Sequence, residues 1–136
     1  MCNSAYFGQE FSLSDSVFNK DEKLITRNVI FLFASDSLFE ESQKYLDTIA
    51  LFLIIHDSLY IEIGVHCDER VSDYSSTIVT QRRAQKIYEY LISMGVPENR
   101  ISRKGFQDTK PILKGAKTDE EHYLNRRTEF RIVVGN

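Results

Sequence analysis

Four segments of the chain have the hydrophobic patterns of β-strands. Residues 24–33 (LITRNVIFLF) contain the apolar, β-branched and aromatic run VIFLF, which is typical of a strand buried on both faces. Residues 60–66 alternate between β-branched apolar residues on one face and polar or small residues on the other. Residues 101–106 are predicted to form a short third strand, and the final run 128–134 (TEFRIVV) alternates through Phe130, Ile132 and Val134. The sequence therefore predicts four strands.

Helical periodicity marks the segments between these strands. The first helix begins with the capping-box spacing Ser37-x-x-Glu40 and ends near Ile55. The second spans about residues 76–94, and a short third helix lies around residues 118–124. The first two helices have apolar stripes, formed by Leu46, Ile49, Ala50 and Leu53 and by Ala84, Ile87, Tyr88, Leu91 and Ile92.

The end of the second helix has a clear signal. Gly95 can adopt the left-handed conformation of the residue that follows a helix, and Pro97 prevents the helix from continuing.

The element order is β-α-β-α-β-(α)-β, an α/β fold with one sheet covered by helices. The first two strands, joined through a helix, should be parallel. Residues 1–22 lack a sustained period and are predicted to form an N-terminal extension before a domain of residues 23–136. Its phenylalanines Phe7, Phe11 and Phe18 indicate that part of it packs on the domain.

Composition limits the possible functions. Hydrophobic residues make up 42% and charged residues 27% of the 136 residues, as in ordinary globular proteins. The net charge of −3 gives no basic field for nucleic acid or an anionic membrane. No apolar run is long enough for a transmembrane helix, and no signal peptide is visible. The sequence is therefore that of a cytosolic protein, or of a mature or truncated form of an exported one.

The segment from His66 to Ala84 (HCDERVSDYSSTIVTQRRA) carries the candidate chemistry. It runs from the end of a strand through a polar loop into a helix, and such junctions often bind small polar ligands. Asp68 can accept hydrogen bonds from an ammonium, and Arg83 can bind a carboxylate with two parallel N–H groups. With Arg83 in the first turns, the N–H groups of the helix start would add to the attraction for an anion. Together these residues would bind a small zwitterion.

Helix phase separates the two adjacent arginines. At 100° per residue, Arg83 lies at the edge of the buried face beside Ile87, whereas Arg82 points to solvent. The pattern alone leaves an equally good alternative, in which Asp68 and Arg83 form a structural salt bridge between loop and helix.

Four stretches of the sequence, two of which overlap the segment from His66 to Ala84, resemble a known family. IEIGVHCDER, VTQRRAQKIYEYLISMGVPENRI, GFQDTKPI and NRRTEFRI are similar to the OmpA-like, peptidoglycan-binding domain, and the resemblance covers residues 23–135. It implies an OmpA-like sandwich with one mixed sheet covered by helices. It also implies that Asp68 and Arg83 hold the amino and carboxylate groups of meso-diaminopimelate in the peptide stem of peptidoglycan.

Several positions depart from the family pattern. Val65 replaces the glycine before the histidine, Cys67 replaces a threonine, and a loop glycine near Val71 is absent. Ser76 aligns with an asparagine that supports the ligand, and Ala34 and Ser35 align with Asp or Asn in the first strand–helix loop. The main pair is retained, while the auxiliary contacts are fewer.

Other candidates complete the predicted site or fall outside it. Tyr74 either walls the pocket or is a solvated loop aromatic. Arg127, in the Asn125-Arg126-Arg127 run that caps the short helix and braces the sheet, is a possible edge of the pocket. The histidines and Cys67 lack metal-ligand spacing, and His66 is expected to orient the loop.

These observations predict a non-catalytic domain that anchors the outer membrane to peptidoglycan without cofactor or metal. The resemblance implies a periplasmic, outer-membrane-associated location, with any membrane attachment through an anchor or a further domain. One alternative is an OmpA-like scaffold that binds a protein partner. Another is a small envelope hydrolase. Against this alternative, the sequence shows no carboxylate pair, no nucleophile–base pair and no set of metal ligands. The oligomeric state stays open.

Overall fold

The computed structural model describes residues 10–29, 31, 38, 40–67, 73–107 and 111–136, without the side chains of residues 73–76 and 107. Within these ranges the chain forms four strands and three α-helices in an α/β arrangement. The elements are β1 (Lys23–Thr26), α1 (Glu40–Ile55), β2 (Tyr60–His66), α2 (Asp73–Ser93), a 3₁₀ turn (Glu98–Arg100), β3 (Ile101–Gln107), α3 (Asp119–Asn125) and β4 (Arg127–Val134).

The four strands form one mixed sheet in the order β1-β4-β2-β3. Strand β4 is antiparallel to both of its neighbours, β1 and β2, whereas β2 and β3 are parallel. Because β1 and β2 are both antiparallel to β4, they run in the same direction, as predicted. The mixed sheet implied by the family resemblance is confirmed.

The position of the first strand was predicted incorrectly. The sheet takes β1 from Lys23–Thr26, where Leu24 pairs with Phe130, and not from the VIFLF run. Arg27 leaves the strand and donates hydrogen bonds to the carbonyls of Tyr123 and Leu124. In the VIFLF run, Val29 is buried outside any strand and Phe31 forms an isolated bridge with Leu38. Val29 is therefore buried without a place in the sheet, while residues 30, 32 and 33 lie outside the described residues.

The hydrophobic core lies between one face of the sheet and the helices α1 and α2. The predicted stripe of α1 is confirmed, because Leu46, Ile49, Ala50 and Leu53 are all buried. Alternate residues of β2 and β4 meet it from the sheet side, namely Ile61, Ile63, Val65, Phe130 and Ile132. The opposite face of the sheet carries the intervening polar side chains.

Two phenylalanines from the N-terminal segment belong to this core. Phe11 and Phe18 are buried, and their ring centroids lie 5.9 and 5.2 Å from that of Phe52 in α1. The backbone N–H of Phe18 donates to the Asn136 side chain at 2.8 Å, which ties this segment to the C-terminal end. The predicted packing of the N-terminal segment is thus present for Phe11 and Phe18, while Phe7 lies outside the described residues.

The helix ends follow local sequence signals. Gly95 has φ 104°, and the N–H groups of Gly95 and Val96 donate to Ile92 and Leu91, which confirms the predicted end of α2. Thr118 and Glu121 form a capping box at the start of α3. The capping box predicted for α1 includes Ser37, which lies outside the described residues.

A buried arginine donates hydrogen bonds to backbone carbonyl groups at and just after the end of α1. Arg100, in the 3₁₀ turn, donates from Nε to the Leu59 carbonyl at 2.9 Å. Its Nη2 donates to the carbonyls of Leu53 and His56 at 2.7 and 2.8 Å. Because the last turn of α1 has no basic residue of its own, Arg100 supplies the positive charge that favours a helix C-terminus.

Gly105 allows β3 and α2 to approach closely. A Cβ at this position would lie 2.5 Å from both the Gln81 backbone nitrogen and the Thr80 hydroxyl oxygen. We expect Gly105→Ala to lower the free energy of unfolding by roughly 1–3 kcal/mol through overpacking, as measured by urea denaturation. Ser102→Ala, at an exposed position of the same strand, should change it by no more than about 0.5 kcal/mol. Equal effects of the two substitutions would contradict this explanation.

Candidate functional site

Arg83 lies where helix phase predicted, at the edge of the buried face of α2. Its side chain is partly buried, while Arg82 is exposed and Ile87 is buried. The guanidinium carbon of Arg83 is 4.9 Å from the centroid of the Phe31 ring, which is a cation–π distance. Arg83 therefore packs against the connection between β1 and α1.

The position of Arg83 along its helix differs from the prediction. Helix α2 begins at Asp73, ten residues before Arg83, which corresponds to roughly 15 Å of helix axis. Arg83 is therefore near the middle of α2 and not in its first turns. The N–H groups at the start of the helix are too far from the Arg83 backbone for the expected cooperation in anion binding.

The end of β2 lies close to the same part of α2. Val65 pairs with Gly105, and Gly105 abuts the backbone of Thr80 and Gln81. The C-terminal end of β2, the middle of α2 and the β1–α1 connection therefore meet at one edge of the fold. This is the kind of junction at which the sequence predicted a ligand site.

Most of the other predicted site residues lie outside the described residues or have only their backbone described. Asp68, Ala34 and Ser35 lie outside the described residues, although Phe31 and Leu38, which flank the latter two in sequence, form a bridge. Tyr74 and Ser76 belong to the first turn of α2, where only the backbone is described. The pairing of Asp68 with Arg83 stays a prediction.

Arg127 belongs to an ion-pair cluster on the polar face of the sheet. Its Nε donates to Glu129 Oε2 at 2.8 Å, and its Nη1 donates to the Asn125 carbonyl at 2.9 Å. Glu129 Oε1 lies 3.6 Å from Lys23 Nζ and 3.5 Å from His66 Nε2. Arg127, Glu129 and His66 are all buried, so this cluster braces three strands. A role of Arg127 at the edge of the ligand pocket stays a prediction.

Burial and charge set the protonation states within this cluster. Burial lowers the pKa of His66 despite the nearby Glu129 carboxylate, so its imidazole is neutral at neutral pH. Burial alone would raise the pKa of Glu129, but contacts with His66, Arg127 and Lys23 outweigh it and lower the value to about 2. The ionised state of Glu129 is favoured first by the His66 side chain and then by the charges of Arg127 and Lys23.

A cavity of about 250 Å³ opens on the same polar face. It is lined by Lys23, Glu62, Gly64, His66, Lys104, Phe106, Arg127, Glu129 and Arg131. Sequence alternation predicted polar residues on this face of β2, but the cavity and the burial of its charged groups were missed. The signal that could have indicated a recess is Gly64, a residue without a side chain between Glu62 and His66.

Two other functional features are absent from the described residues. In these ranges, no group of three or more His, Cys, Asp or Glu side chains is arranged to hold a metal ion. No helix in the same ranges is both long and apolar enough to cross a membrane.

Comparison with known proteins identifies the family. The sequence model of the OmpA family matches residues 30–126, which is well over half of the chain. The chain belongs to the OmpA family. The OmpA-like domain implied by the sequence motifs is thereby confirmed, and the mixed sheet and its helices fit it.

Individual relatives of this OmpA-like chain come from several bacteria. Outer membrane porin F of Pseudomonas fluorescens is 29% identical over 72 residues, which cover 53% of this chain and 22% of that protein. The chain thus matches about a fifth of the length of that relative.

Two solved structures share the fold. The peptidoglycan-associated lipoprotein from Burkholderia pseudomallei superimposes with a TM-score of 0.66 at 26% identity, covering 76% of this chain and 87% of that one. The cell wall anchor of the T6SS from Pseudomonas aeruginosa superimposes with a TM-score of 0.72 at 24% identity, covering 88% and 87% of the two chains.

Proposed function

We propose that this OmpA-like domain is a non-catalytic anchor that binds peptidoglycan. Asp68 would accept hydrogen bonds from the ammonium of diaminopimelate in the peptide stem, and Arg83 would bind the carboxylate on the same carbon. The proposal places the protein in the periplasm, associated with the outer membrane, and requires no cofactor or metal.

The observation that carries the proposal is the position of Arg83. Its partly buried side chain packs against Phe31, close to the end of β2 from which Asp68 follows two residues later. Stacking uses the face of a guanidinium, whereas bidentate binding of a carboxylate uses its edge, so both contacts are compatible. An arginine held in one orientation loses less conformational entropy on binding.

Two relatives support the choice of ligand by their names. The Burkholderia structure is that of a peptidoglycan-associated lipoprotein, and the Pseudomonas structure is that of a cell wall anchor. In this chain the auxiliary contacts would come from Ser76, Tyr74, Ala34 and Ser35, whereas Arg127 is buried beside Glu129 on the polar face of the sheet. Ser76, Ala34 and Ser35 have shorter or less polar side chains than the family pattern, so we expect weaker binding than in a domain with the full set.

Sedimentation with purified peptidoglycan sacculi tests this proposal. We expect the protein to sediment with sacculi of the diaminopimelate type, and Asp68→Ala and Arg83→Ala each to bind about ten- to hundredfold more weakly. This range corresponds to the roughly 1.5–3 kcal/mol of a hydrogen bond to a charged group. Arg82→Ala is the matched control and should bind like the wild type, because Arg82 is exposed on the other side of the helix surface.

The same assay separates the alternatives. Sacculi that carry lysine in place of diaminopimelate lack the second carboxylate, so binding to them should be weaker and insensitive to Arg83→Ala. If the wild type does not sediment with either type, a protein partner replaces peptidoglycan as the ligand. If muropeptides are released during incubation, the domain is a hydrolase and the proposal is wrong.

A further inference from the structure

We propose that the cavity on the polar face of the sheet is a second binding site, for a small molecule that carries a carboxylate or phosphate group. This site goes beyond the peptidoglycan-binding function, because Arg83 lies in α2, on the opposite side of the sheet. The evidence comes from the shape of the cavity, its charge and one buried side chain.

The cavity depends on the missing side chain of Gly64. A Cβ at this position would lie 2.8 Å from Cε2 of Phe106, so glycine admits the Phe106 ring over the strand. This ring stacks on the imidazole of His66, with centroids 4.7 Å apart and planes 2° from parallel. The space of about 250 Å³ is below the size of typical drug-binding pockets. It therefore suits a small ligand.

The lining has an excess of positive charge. Four cationic side chains, Lys23, Lys104, Arg127 and Arg131, face two carboxylates, those of Glu62 and Glu129, although the whole chain has a net charge of −3. A concave surface of one sign raises the local concentration of ligands of the opposite sign. This charge pattern favours an anion.

Lys104 is the best placed of these cations to meet the anion. Arg127 and Lys23 lie beside Glu129, and Arg131 lies 2.6 Å from Asp21 and 3.4 Å from Glu62. Lys104 is exposed, and its ammonium lies 5.0 Å from the centroid of the Phe106 ring. No carboxylate of the described residues lies within ion-pair distance of it. Its ammonium can therefore bind a carboxylate or phosphate at the mouth of the cavity.

The buried side chain of His66 indicates a ligand independently of the charge and shape of the cavity. Its side chain is only 2% exposed, and among the described residues neither ring nitrogen has a hydrogen-bond partner. The nearest carboxylate oxygen, Oε1 of Glu129, is 3.5 Å from Nε2, which is longer than an ordinary N–H···O bond. Buried polar atoms are nearly always paired. A ligand oxygen in the cavity would accept the imidazole N–H and so pair one of the two ring nitrogens.

Titration followed by NMR tests the site. The full chain is titrated with inorganic phosphate and, separately, with succinate, at constant ionic strength adjusted with chloride. The imidazole nitrogen signals of His66 are recorded after assignment with His66→Gln. We expect a saturable shift with at least one of the two anions, which also identifies whether the site prefers phosphate or carboxylate.

Two lysine variants locate the binding. Lys104→Gln should weaken the anion about tenfold, whereas Lys86→Gln, an exposed lysine on α2, should leave the affinity unchanged. Both should bind sacculi like the wild type, so the outcome is independent of the peptidoglycan assay. The proposal is overturned if neither anion gives saturation, or if Lys104→Gln and Lys86→Gln bind equally well.

Discussion

Replacement of Arg100 by alanine is expected to lower the free energy of unfolding by about 3–5 kcal/mol. The substitution removes three hydrogen bonds from a buried guanidinium to the carbonyls of Leu53, His56 and Leu59. Hydrogen bonds to charged groups contribute roughly 1.5–3 kcal/mol each, but they are not additive when they share one side chain. The loss is a large part of the 5–15 kcal/mol that is usual for a whole domain.

Urea denaturation at neutral pH would measure this effect. Arg103→Ala is the matched control, because Arg103 is exposed and its Nε makes one side-chain hydrogen bond, to Gln85 at 2.8 Å. We expect the control to lose no more than about 1 kcal/mol. A loss for Arg100→Ala as small as that of the control would show that water replaces the guanidinium at the end of α1.

A second large effect is expected for Glu129→Gln, which should also destabilise the protein by about 3–5 kcal/mol at neutral pH. The amide keeps the shape of the side chain but leaves the buried Arg127 without its counter-charge, 2.8 Å away. Removal of one partner of a buried ion pair costs far more than the pair contributes to stability. Glu62→Gln on the same face is the control, because the Glu62–Arg131 pair is partly exposed and should contribute less than about 1 kcal/mol.

The same carboxylate makes stability depend on pH. The pKa of Glu129 is lowered from 4.5 to about 2 in the folded state, so the unfolded chain takes up a proton first as the pH falls. The stabilisation from ionised Glu129 is complete above about pH 5 and is lost between pH 4.5 and 2, and it amounts to roughly 3 kcal/mol. The Glu129→Gln variant should lack this loss. Parallel acid-unfolding curves for the two proteins would contradict the assignment.

His66 adds to the pH dependence at a higher range. Burial lowers its pKa from 6.5, so the unfolded chain again binds the proton first. Stability is therefore unaffected by this group above about pH 6.5 and falls as the pH drops below that value. Both buried groups therefore make the protein less stable as the pH falls, His66 below about pH 6.5 and Glu129 below about pH 4.5.

Local periodicity was enough to predict most elements of this fold. The helices α1 and α2 and the strands β2 and β4 were predicted because each buries one face, and burial leaves a period in the sequence. The location of β1 could not be predicted in this way, since the more apolar VIFLF run has the stronger strand pattern. Pairing of Leu24 with Phe130 depends on a partner more than a hundred residues away.

The candidate site was predictable in part for the same reason. Helix phase correctly separated the exposed Arg82 from the partly buried Arg83. The contact of Arg83 with Phe31 depends on tertiary packing and left no local signal. Alternation predicted a polar outer face for β2, but it could not show that His66 is buried there beside charges supplied by β4.

The place of β4 in the sheet has a consequence for how the chain folds during synthesis. Residues 127–134 form the last of the four described strands in the sequence, yet this strand lies between β1 and β2 in the sheet. Until they emerge, β1 has no neighbour in the sheet and β2 can pair only with β3. Because these contacts join distant parts of the sequence, the sheet closes late. A chain with this topology stays incompletely folded until residues 127–134 have been synthesised, a state that export machinery for unfolded polypeptides can accept.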